Sequence, residues 1–443
     1  MNLILYPLKI LNRMNAPGAA QRLLKIWIAI TADKQAMHEL LALSIAMNDL
    51  PESIRLSERL LEQDPQNTML IRNLAIFNLN LGKTETAAAL FTEHMRLTTG
   101  KTPILRVYRN ALMDQDKANR GIPYVTTLND VLVDTEYWSI LDSDRVYARE
   151  THGRTIVNGQ FVYGRMTPDG NEFIYAIPDN IQHIDTPCIF LGGDDNYSHW
   201  LTRNLIKLVL LEDHPATDNL PFLINEDLRS YQREYLELLG IPESRLIKVP
   251  RNAIIHCQQL VVPTILRGHP DMHKGINWLR GRLSSLIAAP EEANDLVYLS
   301  RRDTALRSLV NNIELADALG ELGFSTVVTG ELSVKDQINA MSKAKVIVAA
   351  HGAGMTNIIF APPGAIIIEI TSTNIAHMND FRFIAQQLKQ QIKTLVSSDI
   401  TASPDPDKLE LNYDYRISIP EVMQALQTLC PELFASVNTT SHQ

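Results

Sequence analysis

Cysteine is scarce. The chain of 443 residues has three, Cys188, Cys257 and Cys430, widely separated and with no Cys-x-x-Cys spacing. An odd, scattered set supplies neither a disulfide framework nor a zinc site, so a reducing compartment is expected. Surplus positive charge is also missing. With 41 Lys and Arg against 50 Asp and Glu, the net charge is −9, which excludes a general polyanion binder and removes nucleic acid from the expected partners. Lys9, Arg13, Arg22 and Lys25 interrupt the apolar N-terminus before an uncharged run of about 18 residues accumulates, so no membrane span is expected there. The same opening lacks the basic n-region of a signal peptide. Cytoplasmic residence is the expectation, with residues 1–30 a candidate peripheral contact at the inner membrane.

What is present suits a globular enzyme. Hydrophobic residues make up 45% of the chain, enough for a sizeable core, and the length exceeds what a single core of roughly 150 residues occupies. Residues 1–120 read as a helical extension. Within about 36–99, Leu41-Ala42, Asp49, Glu52 and Ile54 fall opposite Leu74-Ala75, Gly82, Glu85 and Ala87. That offset, 33 residues (74 − 41), is close to the tetratricopeptide period of ~34. Such a short stack offers a surface for a protein partner or for self-association.

Residues 121–288 read as a first α/β domain. Strand-like runs Thr155 to Tyr163 and Phe173 to Ile177 are punctuated by Asn158-Gly159 and Pro168-Asp169-Gly170. Strand Cys188 to Leu191, helix His199 to Leu211, strand Pro221 to Ile224, helix Leu228 to Leu239 and strand Leu260 to Val262 then alternate as in a parallel sheet. Residues 289–400 repeat the theme: strand Leu296 to Ser300, helix Ile313 to Leu322, strand Ser325 to Val328, helix Val334 to Ser342, strand Val346 to Ala350 and strand Ala365 to Ile370. These strands are almost wholly apolar, as a sheet covered on both faces requires. Residues 401–443 read as a tail with a helix.

In an open α/β sheet, ligands bind beyond the carboxyl ends of the strands. Leu296 to Ser300 exits into Arg301 and Arg302, with Arg307 close behind, and guanidinium forks match phosphate oxygens. Val346 to Ala350 exits into His351-Gly352-Ala353-Gly354-Met355-Thr356-Asn357, where glycines admit a phosphate to backbone N–H groups at a helix start. Glu369 sits among isoleucines at another strand exit, costly to bury unless hydrogen-bonded, and a ribose diol would satisfy it. Upstream, Gly192-Gly193-Asp194-Asp195 precedes His199. His199 suits a general base, with Asp195 or Asp194 as alternatives and a structural histidine as the plain reading. Asp142-Ser143-Asp144 and Asp405-Pro406-Asp407 have the spacing of metal-binding carboxylates, but neither follows a strand exit, so both are expected to be turns and no metal is expected.

Tyr298-Leu299-Ser300-Arg301, Arg307, Asn312, His351-Gly352-Ala353-Gly354 and Glu369-Ile370, with Asn196-Tyr197-Ser198-His199-Trp200 upstream, resemble glycosyltransferase family 61. The resemblance spans roughly residues 125–400. It implies a GT-B-like pair of Rossmann-like domains facing a cleft, here preceded by the helical repeat segment. It further implies an inverting, metal-independent transfer from a nucleotide-sugar donor to a saccharide acceptor, in bacterial surface or capsular polysaccharide synthesis. No cofactor is implied beyond the donor as co-substrate. His199 or Asp195 would be catalytic, and Arg301, Arg307, His351, Gly352, Ala353, Gly354, Asn357 and Glu369 would line the donor site. A dinucleotide oxidoreductase is the competing enzyme class, but Asn357 stands where Gly-x-Gly-x-x-Gly needs its third glycine. A repeat scaffold with a degenerate transferase domain is the non-enzymatic alternative.

Overall fold

In a computed structural model of the chain, the described residues are 17–31, 33–100, 104–147, 164–167, 171–178, 181–304, 306–401 and 412–435. They fall into two compact units. The first comprises Met1–Met113, Asn129–Thr186 and Arg251–Gln259; the second comprises Asp114–Leu128, Pro187–Pro250 and Leu260–Gln443.

The first unit opens with helices Pro17–Thr31, Lys34–Ala46, Leu50–Gln63, Thr68–Asn80 and Thr84–Thr99. Short polar links stop each one: the Asp49 carboxylate accepts from Glu52 N–H and the Asn67 carbonyl from Leu70 N–H, as N-caps do. Helix starts recur at 34 residues, Lys34 to Thr68 and Leu50 to Thr84. The buried face recurs with them, because Ala36, Met37, Leu40, Leu41 and Ser44 correspond to Leu70, Ile71, Leu74, Ala75 and Asn78. Leu40, rather than Leu41, is therefore the counterpart of Leu74, one residue off the expected offset of 33. Burial sets helix phase more tightly than residue identity does.

Helical structure gives way before residue 120. Gly100, at φ 71°, caps the last helix, and strand β1 (Ile104–Asn110) follows, with β2 (Val125–Asp134), β3 (Ser139–Asp142), β4 (Arg145–Tyr147), β5 (Gly164–Met166), β6 (Glu172–Ile177) and β7 (Gln182–Ile184). The order is β2-β3-β4-β1-β6-β5, antiparallel except for the β1–β4 pair. Ala87, Ala88 and Phe91 of the last helix pack on Ile174, Leu105 and Val107 of this sheet. Asp142 and Asp144 flank the β3–β4 turn, with Ser143 at φ 52°, as expected for a turn. Thr155 to Tyr163, both expected turn motifs near it and Asp405 to Asp407 lie outside the described residues.

The second unit contains parallel strands in two sheets. β8 (Cys188–Phe190), β9 (Phe222–Asn225), β10 (Leu246–Val249) and β11 (Ile254–Pro263, of which only Leu260 onward belongs to this unit) run β10-β9-β8-β11. β12 (Asp295–Ser300), β13 (Ser325–Val328), β14 (Ala344–Ala350), β15 (Ile366–Ser372) and β16 (Gln391–Ser397) run β13-β12-β14-β15-β16, all parallel. Strand alternation buries both faces of this second sheet. Ile347 and Ala349 of β14 join one core with Trp200, Leu205 and Ile276, while Val346, Val348 and Ala350 join another with Leu315 and Leu426.

The C-terminal stretch is more than a tail. Helix Ile419–Leu429 buries Val422 and Leu426 in that second core, and the Tyr415 hydroxyl donates to Ile370 O at 3.2 Å. Residues 187–250 and 260–400, expected as parts of two domains, share the second unit.

Candidate active site

The topology of the β12–β16 sheet changes direction between β12 and β14, the switch point at which α/β sheets bind ligands. Arg301 leaves β12 there and His351-Gly352 leaves β14. The Arg301 guanidinium lies against the Gly352 backbone, donating to His351 O at 2.9 Å and to Leu306 O at 3.0 Å. A Cβ on Gly352 would stand 1.1 Å from Arg301 Nη1. Gly352 is therefore glycine because a cation occupies its side-chain space, its φ of 171° being open to any residue. Gly354 is restricted in the same way by Thr329 Oγ1, 2.6 Å from where its Cβ would be.

Arg301 and Arg307 are both half-buried, and neither is ion-paired to a carboxylate among the described residues. Burial, and for Arg301 also the charge of Arg307, pushes their pKa values below the usual arginine range. Nε of each is buried without a hydrogen-bond partner among the described residues. Two desolvated cations with unpartnered Nε donors favour negative charge nearby. Arg301 lines a cavity of about 290 Å³ with Tyr197, Asp303, Gly330, Ala353 and Gly354 among others; Arg307, expected to line it too, does not.

His351, Glu369 and Asn357 sit behind this wall. His351 Nδ1 lies 2.7 Å from Glu369 Oε1, and Thr394 Oγ1 donates to Glu369 Oε2 at 2.7 Å. Glu369 is 2% exposed, so its carboxylate is satisfied inside the protein and does not face a ribose. Asn357 is fully buried, accepting from the Tyr197 hydroxyl at 2.6 Å and donating to Gln337 Oε1 at 2.9 Å. It supports the cavity from behind rather than lining it. His351, Glu369 and Asn357 thus lie outside the cavity lining, while Arg301, Ala353 and Gly354 reach it.

Tyr197 ties this half to the other switch point. β8 ends in Gly192-Gly193, where Asn225 Nδ2 donates to Gly193 O at 2.7 Å and leaves no room for a Cβ. The chain then turns through Tyr197–His199 into a π-helical turn, Trp200–Leu205, and a 3-10 turn, Ile206–Leu211. The regular helix expected over His199 to Leu211 is absent: the winding is wider than α over Trp200–Leu205 and tighter over Ile206–Leu211.

His199 Nδ1 lies 2.9 Å from Asp194 Oδ2, and Arg203 Nη1 lies 3.5 Å from the same oxygen. The carboxylate is almost wholly buried, whereas the His199 side chain is 18% exposed. An Nδ1–H donated to Asp194 leaves Nε2 as an acceptor, the state a general base needs. Burial lowers the His199 pKa; Asp194 opposes that, and the nearby Arg203 and Arg267 charges add to it. Asp195 is turned elsewhere, its Oδ2 on Arg229 Nη2 at 3.0 Å. Asp194 is therefore the carboxylate that holds the histidine, a distinction between neighbours that no spacing rule makes.

Among the described residues no group of three His, Cys, Asp or Glu side chains is placed to hold a metal ion, and no helix is long and apolar enough to cross a membrane. All three cysteines are buried and unbridged.

Known proteins resemble part of this chain. A rice (Oryza sativa subsp. japonica) protein named "Beta-1,2-xylosyltransferease XAX1" is 27% identical over 214 residues, 43% of this chain and 37% of that protein. An Arabidopsis thaliana "Beta-1,2-xylosyltransferase" is 36% identical over 91 residues, 18% of this chain and 17% of its own length. The chain thus matches well under half the length of these curated relatives. A solved structure, "Crystal structure of MamA", matches 22% of the chain and 57% of its own at 15% identity and a TM-score of 0.20, which carries no argument. The matches to the plant proteins support a glycosyltransferase. From Tyr197 in the cavity wall to Ile368 in β15, residues 197–368 match the Glycosyltransferase 61 family model, so this part of the chain is similar to a glycosyltransferase family 61 domain.

Proposed function

We propose that the protein is an inverting, metal-independent glycosyltransferase that moves a sugar, pentose or hexose, from a nucleotide-sugar donor to a saccharide acceptor. The observation that carries the reading is Arg301, a desolvated cation with an orphan Nε that lines the cavity at the switch point, with the second desolvated cation, Arg307, acting on it through its charge. A diphosphate leaving group fits that cradle: the guanidinium groups take the charge that develops as the sugar–phosphate bond breaks, with the start of the segment Ala353–Phe360 adding N–H groups. His199, oriented by Asp194, removes the proton of the attacking acceptor hydroxyl, and attack opposite the leaving group inverts the anomeric carbon. The two sheets of the second unit correspond in this reading to a GT-B-type pair. The repeating hairpins are tetratricopeptide-like and serve a partner protein or a second copy. The acceptor is a growing surface or capsular polysaccharide.

A thermal-shift screen of UDP-, GDP- and CMP-sugars tests the donor reading, since ligand at about 100 times Kd adds roughly 2.7 kcal/mol of stability. Transfer with the stabilising donor is expected to persist in excess EDTA. Arg301→Ala should raise the donor KM sharply. His199→Ala should lose about 10²–10⁴-fold in kcat with donor affinity kept. Burial lowers the His199 pKa, so the wild type should hold its activity below pH 6.5, the ordinary histidine value, before the acid limb sets in. Near-normal turnover in His199→Ala would remove it as the base, and turnover restored to a chelated enzyme only by Mn²⁺ would end the metal-free mechanism.

A further inference from the structure

A second cavity, of about 230 Å³, lies on the far side of the turn that carries His199. Tyr197 lines the first cavity; its neighbour Ser198, and Thr202 one turn on, line the second. His199 stands in the segment that separates them. The remaining wall comes from Arg267 and Met272 and from the segment Asn379 to Ile384, including Asp380 and Phe383. His351, whose neighbours Ala350 and Ala353 line the first cavity, packs edge-on against Phe381 in that same segment at 5.0 Å. Both switch-point histidines thus stand between the two spaces.

The chemistry of the second cavity is balanced. Its lining includes one cation, Arg267, and one anion, Asp380, paired through Nη2 and Oδ2 at 2.7 Å. Arg267 Nη1 is buried with no hydrogen-bond partner among the described residues, leaving an orphan donor beside an acceptor. Ser198, Thr202 and Asn379 add hydrogen-bonding groups, while Met272, Phe383 and Ile384 form an apolar wall. A sugar ring presents this combination, with vicinal hydroxyls at its rim and a C–H face. A carboxylate or sulfate would meet Asp380 with no cation left over to offset it.

The geometry points to the second cavity as the acceptor subsite, shaped for a neutral sugar ring whose hydroxyls bridge Arg267 and Asp380 and whose C–H face lies on Phe383. The inference rests on the glycosyltransferase reading and adds to it the acceptor class and the residues that select it. The turn that carries His199 adjoins both cavities through Tyr197 on one and Ser198 on the other, so an acceptor hydroxyl held in the second is brought next to the base.

The test applies the full-length chain, wild type and the variants Asp380→Ala and Phe383→Ala, to an array of neutral and acidic oligosaccharides, with UDP, GDP and CMP affinity measured by calorimetry in parallel. Wild type should retain neutral saccharides and pass over uronate and sulfated ones. Each variant should weaken retention by about tenfold, the loss of one anchoring contact, with nucleotide affinity within about twofold of wild type. Two substitutions on the same wall guard against one of them failing to fold. Unchanged retention in both, preference for acidic glycans, or no retention by the folded wild type would overturn the subsite. Saccharide retention without binding of any nucleotide would instead strike the glycosyltransferase reading and leave the sugar site standing.

Discussion

Lys207 is a residue whose placement no sequence pattern announces. It is fully buried, its Nζ sits 4.8 Å from the centre of the Phe190 ring, and no hydrogen-bond partner meets it among the described residues. Burial lowers its pKa from 10.5 to about 7. Because the folded value lies below the unfolded one, the unfolded chain holds more protons between pH 7 and 10.5, and stability should rise with pH across that window. Lys207→Met should therefore be more stable than wild type at pH 6 by about 1–3 kcal/mol, with the gap narrowing towards pH 10. Urea unfolding at the two pH values reads this directly; a gap independent of pH would mean the ammonium is solvated. At the cavity, a methyl group on Gly352 would collide with Arg301 Nη1. Gly352→Ala is expected to weaken nucleotide binding as much as Arg301→Ala, and the double variant little further, because both remove the same cation. Calorimetry on the three variants decides it, and additive losses would show that Gly352 acts on its own. Both residues were visible in the sequence as strand-exit groups. Their contact was not, because it joins positions 51 residues apart (352 − 301).

At the scale of elements, the link that matters runs between the turn Tyr197–His199 and the segment Ala353–Phe360. Tyr235, Tyr197, Asn357 and Gln337 form one buried chain of hydrogen bonds across it. Asn357→Ala should leave the Tyr197 hydroxyl and the Gln337 amide short of a partner, costing about 1–3 kcal/mol. The expected signature is a lower melting temperature together with a fall in kcat larger than any change in donor Kd, because the segment that positions His199 loosens while the arginines stay. Unaltered kcat in a folded Asn357→Ala protein would show that the chain of hydrogen bonds is structural alone. The strands of the second sheet were legible since both faces are apolar, and β12, β13, β14 and β15 appear within two residues of where the sequence puts them. β1 escaped notice because Arg106 and Arg109, three residues apart, break the period of two that marks a strand, and β16 because Gln391, Lys393 and Thr394 mask an edge strand as a loop.

For the whole molecule, the helical repeat is not a free appendage of the first unit. Its last helix buries Ala87, Ala88 and Phe91 on β1 and β6, and Thr84 Oγ1 donates to Glu172 Oε2 at 2.7 Å. Deleting residues 1–100 should uncover Ile174, Leu105 and Val107 on the sheet and give an aggregating product, whereas removing 1–63 leaves that interface covered, uncovers Leu70 and Phe77 of the repeat, and should aggregate less. Size-exclusion chromatography of the two truncations separates the outcomes, and a soluble, monomeric 101–443 would show that the sheet stands without the repeat. Sequence alone determined the class of the molecule: apolar periodicity, turn residues and strand-exit arginines and glycines are local signals, written within a few residues of one another. Of the residues that line the cavity it named Arg301, Ala353 and Gly354. Tertiary structure decided the surroundings of the candidate groups, setting Asp194 rather than Asp195 on His199, enclosing Glu369 with His351 and Thr394, and pairing Asn357 with Tyr197. The physical reason is that a role depends on burial and on partners far along the chain, and these exist only once distant strand exits are brought to one edge.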